Sequence, residues 1–237
     1  PMACINFGED MRHFFLDRLD EKGYILDPVD IHHMSKVLRL VIGEELQLAY
    51  GGNLYHGKIE QIDKKKIVVN IEGEISRPLY PKIHLYQALA KGKKMEHILQ
   101  HGTELGISKF GLLPTRYSDV KSVSQKKERY LRILKDAAKQ SQAPCIPEID
   151  FYESLEELPF DEDEIFFCYE LEKENKINLQ EKGSVGIIIG PEGGFSQKEA
   201  SFIKSKAQAV SLGERILRTE TAGLVATALI LRELGVL

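Results

Sequence analysis

Two stretches near the C-terminal end of this chain concentrate residues whose types and spacing could do chemistry. The first is Val185-Gly-Ile-Ile-Ile-Gly-Pro-Glu-Gly-Gly-Phe-Ser196. An apolar, largely β-branched run that ends in Gly190, Pro191, Glu192, Gly193 and Gly194 delivers bare main chain to the carboxyl end of a strand, where ligands bind in open α/β sheets. Glycines let a ligand approach the backbone N–H and C=O groups, Pro191 stiffens the turn, and Ser196 can cap a following helix. A tight strand-to-helix turn without a ligand fits these residues equally well. The phosphate loop of ATPases is excluded: GxxxxGK[ST] is absent, and Lys91-Gly-Lys-Lys94 lacks both the first glycine and the terminal hydroxyl.

The second stretch is Leu212-Gly-Glu-Arg-Ile-Leu-Arg-Thr-Glu-Thr-Ala222. Two arginines and two carboxylates around the apolar pair Ile216 and Leu217 give the mixture that a pocket for an aromatic ligand with charged ends requires. A plainer reading stands beside it. Thr219 or Glu220 would cap the last helix, and Arg215 and Arg218 would form surface ion pairs of little worth. Cys4, Cys145 and Cys168 are odd in number, far apart and without CxxC spacing, so neither a disulfide framework nor a zinc site is indicated, and no metal is expected.

Positioning these stretches takes two kinds of architecture. The chain of 237 residues, 43% hydrophobic, is long enough for one large domain or two small ones. The front reads as a small β-rich module. Arg12 to Leu16 is a strand; Pro28 opens a helix over Val29 to Leu40; and Glu45 to Ala49, Leu54 to Ile62 and Lys66 to Ile71 are strands joined by hairpin-like turns. The proline-bearing segment Ser76 to Pro81 reads as a linker, which puts a boundary near residue 75. Beyond it strands and helices alternate, the signature of a mostly parallel sheet covered by helices. The strands are Ile83 to Leu89, Gly111 to Pro114, Glu164 to Tyr169, Val185 to Ile189 and Ala209 to Leu212. The helices are Lys93 to Leu105, Gln125 to Ser141, Gln197 to Ser205 and Thr221 to Leu234.

The formal net charge of −4 argues against nucleic acid at first sight, because Lys and Arg drive most phosphate binding. Its distribution weakens that objection: residues 1–150 carry 23 basic against 20 acidic side chains, and residues 151–181 alone hold eleven carboxylates and two lysines. No apolar run approaches the roughly 20 residues of a membrane span, and the start lacks the order of a secretory signal, so a cytoplasmic location is expected. Residues 1–10 precede a natural-looking start at Met11 and are set aside.

Taken together, GPEGGFS and LGxRILRxETA resemble the RsmE-like family, the 16S ribosomal RNA uridine-N3 methyltransferases of the SPOUT superfamily. The resemblance extends to Met11-Arg-His-Phe-Phe15, His32-His-Met-Ser-Lys-Val-Leu-Arg39, Gln87-Ala-Leu-Ala-Lys-Gly-Lys-Lys-Met-Glu96 and Glu104-Leu-Gly-Ile107. It implies an α/β protein with a PUA-like β-barrel over residues 11–75 that helps hold RNA. Residues 76–237 would then form a methyltransferase domain with a deep trefoil knot, homodimeric through that domain. It also implies S-adenosyl-L-methionine in a pocket built from Gly190 to Gly194 and from Leu212, Gly213, Ile216, Leu217 and Arg218, with Tyr169 and Glu170 as further candidates. Arg218 would stabilise charge on the uracil oxygens. Glu220 would remove the N3 proton or orient Arg218. Arg12, His33, Lys36, Arg39, Arg116 and Lys121 are candidate RNA contacts, each equally readable as a plain surface charge.

One block departs from the family. A Glu-Gln-(Ser or Cys)-x-Arg run is usual late in the long helix, whereas this chain has Lys139-Gln-Ser-Gln-Ala143. That puts the target base and the mechanism in question more than the cofactor. The alternatives are a SPOUT ribose 2′-O-methyltransferase and a non-catalytic RNA-binding homologue. A nucleotide-dependent oxidoreductase is more distant, since no GxGxxG follows a strand.

Overall fold

The computed structural model describes residues 11–76, 81–120, 126–180 and 183–237. The chain divides into two units, one of residues 1–78 with 142–145 and the other of residues 79–141 with 146–237.

The first unit is built on β1 (His13–Phe15), β2 (Arg18–Leu19), β3 (Gly23–Ile25), β4 (Glu45–Tyr50), β5 (Asn53–Ile62) and β6 (Ile67–Ile75), with sheet order β1-β4-β5-β6-β3-β2. Strands β1 and β2 sit at opposite ends of that order although only Leu16 and Asp17 separate them. A flat sheet would part them by five strand spacings, about 24 Å, while three peptide steps reach at most about 11 Å. The sheet therefore curls round until the end of β1 and the start of β2 lie within that reach, as in a barrel. Phe14, Ile25, Leu46, Leu48, Ile59, Ile67 and Val69 fill its interior.

The single helix expected over 29–40 is two pieces: α1 (Pro28–His32), capped by the Asp27 side chain on the Val29 N–H at 2.8 Å, and a π-helical turn over His33–Val37. The change of pitch keeps Ile31, Met34 and Leu40 buried in one core, and Arg39 leaves the turn in the left-handed region at φ 54°. The hairpin of β2 and β3 carries no apolar alternation and escaped the sequence reading.

The second unit is a parallel six-stranded sheet of β7 (Ile83–Ala88), β8 (Lys109–Leu113), β9 (Glu148–Phe151), β10 (Glu164–Cys168), β11 (Val185–Ile189) and β12 (Gln208–Val210), in the order β12-β10-β11-β7-β8-β9. Strand β9 was not anticipated. Helices α2 (Lys93–Glu104), α3 (Lys127–Gln140) and α5 (Thr219–Glu233) contribute to a core on Leu85, Leu89, Phe110, Ile187 and Ile189. Helix α4 (Gln197–Lys204) contributes to a second core, with Tyr86, Phe167 and Ile188. The chain moves outward from β7 through β8 to β9, then returns to the other side, where β10 lands two places from β7 and β11 fills the gap. That reversal is the topological switch point at which open α/β sheets bind ligands. Among the described residues no helix is long and apolar enough to cross a membrane.

Candidate cofactor cleft

The carboxyl ends of β12, β10 and β11 lie side by side, and the segments leaving them enclose a cleft of about 610 Å³, its open mouth included. The end of β10 and the segment after it contribute Cys168, Tyr169, Glu170, Glu172 and Lys173, and the end of β11 and the turn after it contribute Ile189, Gly190, Pro191 and Gly194. The segment after β12 contributes Ser211, Leu212, Gly213, Arg215, Ile216 and Leu217, and α5 adds Thr219 and Ala222. Both sequence-flagged turns thus line one cleft together with Tyr169 and Glu170. Glu192, Gly193, Arg218 and Glu220 belong to the same segments but stand outside the lining. Cys168, Glu172, Lys173, Ile189, Ser211, Thr219 and Ala222 line it without having been singled out for it, because they are unremarkable in type and join only through strand order.

The glycine-rich turn is held from within. Gly194 has φ +69°, and its N–H donates to the Pro191 carbonyl at 3.0 Å. A Cβ on Gly194 would sit 2.9 Å from Glu170 Oε1, and one on Gly193 would sit 2.9 Å from the Tyr117 Cβ. Ser196 caps α4 in a reciprocal box: its hydroxyl accepts from the Glu199 N–H, while the Glu199 carboxylate accepts from the Ser196 N–H at 2.8 Å and from the Arg116 N–H at 2.8 Å. Burial pushes the Glu199 pKa up, but hydrogen bonds from the Ser196 hydroxyl and these main-chain groups outweigh it and leave the carboxyl below its ordinary range. Glu192 turns outward to the Lys94 ammonium at 2.8 Å and the Lys91 N–H at 3.2 Å. These bonds likewise overcome burial and lower its pKa.

The second turn corrects the plainer reading of its residues. The N-cap of α5 is Arg218, with no side-chain cap; Thr219 instead donates its hydroxyl to the Gly190 carbonyl at 2.6 Å. Neither Arg215 nor Arg218 forms an ion pair with another described residue; Arg218 is exposed and Ile216 is 81% exposed. Glu220 Oε2 is buried without a hydrogen-bond partner among the described residues, 3.8 Å from Lys94 Nζ. Tyr169 stacks on Phe167 at 4.9 Å and lies under Lys204 Nζ at 4.5 Å. Burial alone pushes the Cys168 thiol up to about 12.

Of the candidate RNA contacts, His33, Lys36 and Arg39 are exposed on and just after the π-helical turn of the first unit. Arg12 lies 3.8 Å from Glu44, and Arg116 is exposed in the second unit with its guanidinium 5.7 Å from the centre of the Tyr117 ring. Lys121 lies outside the described residues. No group of three or more His, Cys, Asp or Glu able to hold a metal ion occurs among the described residues.

Comparison with known proteins gives matches over both units. Residues 77–231 match the model of an RNA methyltransferase domain and residues 26–72 that of an RNA methyltransferase PUA domain. The ribosomal RNA small subunit methyltransferase E of Aquifex aeolicus is 34% identical over 84% of this chain and 89% of its own length. The protein of that name from Bacillus subtilis is 31% identical over 85% and 86%. Among solved structures, a ribosomal RNA small subunit methyltransferase E from Neisseria gonorrhoeae bound to S-adenosyl methionine is 26% identical, with TM-score 0.80 over 94% of this chain and 98% of that one. A putative methyltransferase from Legionella pneumophila in complex with bound SAM is 29% identical, with TM-score 0.80 over the same shares.

Proposed function

We propose, from the premise that the chain belongs to the ribosomal RNA small subunit methyltransferase E family, that it methylates N3 of a uridine in 16S ribosomal RNA with S-adenosyl-L-methionine as donor. The observation that carries this is the cleft in which the turns after β11 and β12 meet across the end of β10, the strand between them. Its chemistry suits the donor. Leu212, Leu217, Ile189 and Ala222 offer apolar cover to a flat base, the Glu170 and Glu172 carboxylates can accept from hydroxyl or ammonium groups, and the Arg215 guanidinium matches a carboxylate. When bound, S-adenosyl-L-methionine supplies an electrophilic methyl group.

The residues of this chain prepare the acceptor. Uracil N3 is a poor nucleophile while it holds its imide proton, so the site must favour proton loss and the charge that it leaves on the ring oxygens. Arg218, exposed at the start of α5 and unpaired among the described residues, is free to meet those oxygens. Glu220, with one buried oxygen lacking a hydrogen bond among the described residues, is the proton acceptor or the group that orients Arg218.

Residues 11–75 form the RNA-holding barrel of this reading, with Arg12, His33, Lys36 and Arg39 on phosphates, joined by Arg116 and Lys121 from the catalytic domain of residues 76–237. That domain carries the trefoil knot and pairs with a second copy; the 81% exposure of Ile216 in the cleft lining suits cover by a partner. The protein works in the cytoplasm.

The test is tritiated S-adenosyl-L-methionine with small ribosomal subunits lacking this methyl, followed by nucleoside mapping. Label on uracil N3 is expected. Label on a ribose oxygen would give the 2′-O-methyltransferase, and cofactor binding without any labelling would give the non-catalytic homologue. Arg218→Ala is expected to lose about 10²–10³ in turnover, the range for one preorganised oxyanion donor, while calorimetry still shows the cofactor bound. Unchanged turnover would remove Arg218 from the mechanism.

A further inference from the structure

Beneath the cleft lies a side chain that its chemistry does not account for. Gln87, one residue from the end of β7, is fully buried in register with Ile189 of β11 and Leu112 of β8. Its Nε2 donates to the Ala88 carbonyl at 2.9 Å and to Thr219 Oγ1 at 2.9 Å, and Thr219 Oγ1 donates onward to the Gly190 carbonyl at 2.6 Å. The direction of this chain is forced. Ala88 O and Gly190 O can only accept, so the amide nitrogen must face Ala88 and the threonine proton must point at Gly190, which leaves Thr219 Oγ1 to accept from Gln87.

The arrangement leaves Gln87 Oε1 buried without a hydrogen-bond partner among the described residues. An orphaned buried acceptor costs about 1–3 kcal/mol, which offsets the roughly 1–3 kcal/mol that the two Nε2 bonds together contribute, so an apolar side chain of similar shape would serve the core about as well. Fold stability alone therefore does not explain a glutamine at this position. The two bonds instead tie the first residue of α5, where the second turn ends, to the first residue of the glycine-rich turn, and anchor both to the central strand. Because Pro191 has no N–H, the orientation of the Gly190–Pro191 peptide is held by its carbonyl, which Thr219 grips.

We propose that Gln87 and Thr219 are positioning residues that hold the two cofactor turns at a fixed separation, so that the donor meets a cleft already in shape. This rests on the cofactor reading above, and preorganisation is where it acts. Three variants test it: Thr219→Val cuts both bonds at nearly constant shape, Gln87→Met removes only the amide, and Thr219→Ser keeps the hydroxyl. Each is measured for melting temperature, for S-adenosyl-L-methionine and S-adenosylhomocysteine affinity by calorimetry, and for KM and kcat.

Thr219→Val and Gln87→Met are expected to weaken affinity about tenfold, which is what ~1.4 kcal/mol corresponds to. KM should rise more than kcat falls, Gln87→Met should melt close to the unmodified protein, and Thr219→Ser should bind within about twofold of it. Unaltered affinity in both cut variants overturns the proposal, as does an affinity loss in Thr219→Ser as large as in Thr219→Val. A purely structural role would lower the melting temperature of Gln87→Met in step with its affinity, which also overturns it. Absence of binding by the unmodified protein would instead remove the cofactor reading on which the proposal stands.

Discussion

Gly194→Ala isolates the cleft from the rest of the fold. At φ +69° an L-residue pays about 1–2 kcal/mol, which in a domain of this size lowers the melting temperature by about 2–8 °C. The new Cβ would lie 2.9 Å from Glu170 Oε1. Glu170 is exposed and flexible, so it swings aside and adds little to the loss of stability. Affinity is another matter, since the swing displaces a carboxylate that lines the cleft beside the added methyl. Overpacking of about 1–3 kcal/mol corresponds to about 5–150-fold in Kd. Gly235→Ala is the control: φ is +73°, and a Cβ there meets nothing within 4 Å. The two variants should melt alike, and calorimetry with S-adenosyl-L-methionine should show weakened binding in Gly194→Ala alone. Equal, undiminished affinity in both would mean that the cofactor does not use this cleft.

Two further predictions follow from titratable groups. Burial pushes the Glu162 pKa up, but the His84 ring nitrogen at 2.7 Å and the Tyr86 hydroxyl, both on its Oε1, outweigh burial and leave it below the ordinary value of 4.5. A carboxyl depressed in the folded state adds stability that is present above pH 4.5 and is lost as pH falls through the lower, folded value. Melting temperature should therefore drop more steeply between pH 6 and pH 3 in the unmodified protein than in Glu162→Gln, and parallel curves would refute this. Cys168, its thiol pushed up to about 12 by burial, should resist iodoacetamide at pH 8.5, while the exposed Cys145 reacts. Equal labelling by mass spectrometry would contradict that raised thiol pKa.

What was legible in the sequence follows from where the information sits. Strand β11 shows as five consecutive buried residues and its turn as glycines, while the α4 cap shows as Ser196 three residues before Glu199; each is a local pattern with a local cause. Strand β9 and the β2–β3 hairpin are too short to alternate visibly, and the π-helical turn at His33–Val37 goes with the burial of Ile31, Met34 and Leu40 in one core, which no local pattern carries. The same division runs through the site. Its two turns were readable, but the contributions from Cys168, Ser211 and Ala222 depend on β12 lying beside β10 and β10 beside β11, an order no window of sequence carries. Thr219 shows the difference in one residue. A threonine at the start of a helix reads as a cap because the nearest orphan donors are its own. Gln87, 132 positions away, and the Gly190 carbonyl occupy both sides of its hydroxyl instead. Local preference sets where α5 begins, whereas sheet order decides what the first side chain of that helix is for, and in this protein the second choice is the one that shapes the cleft.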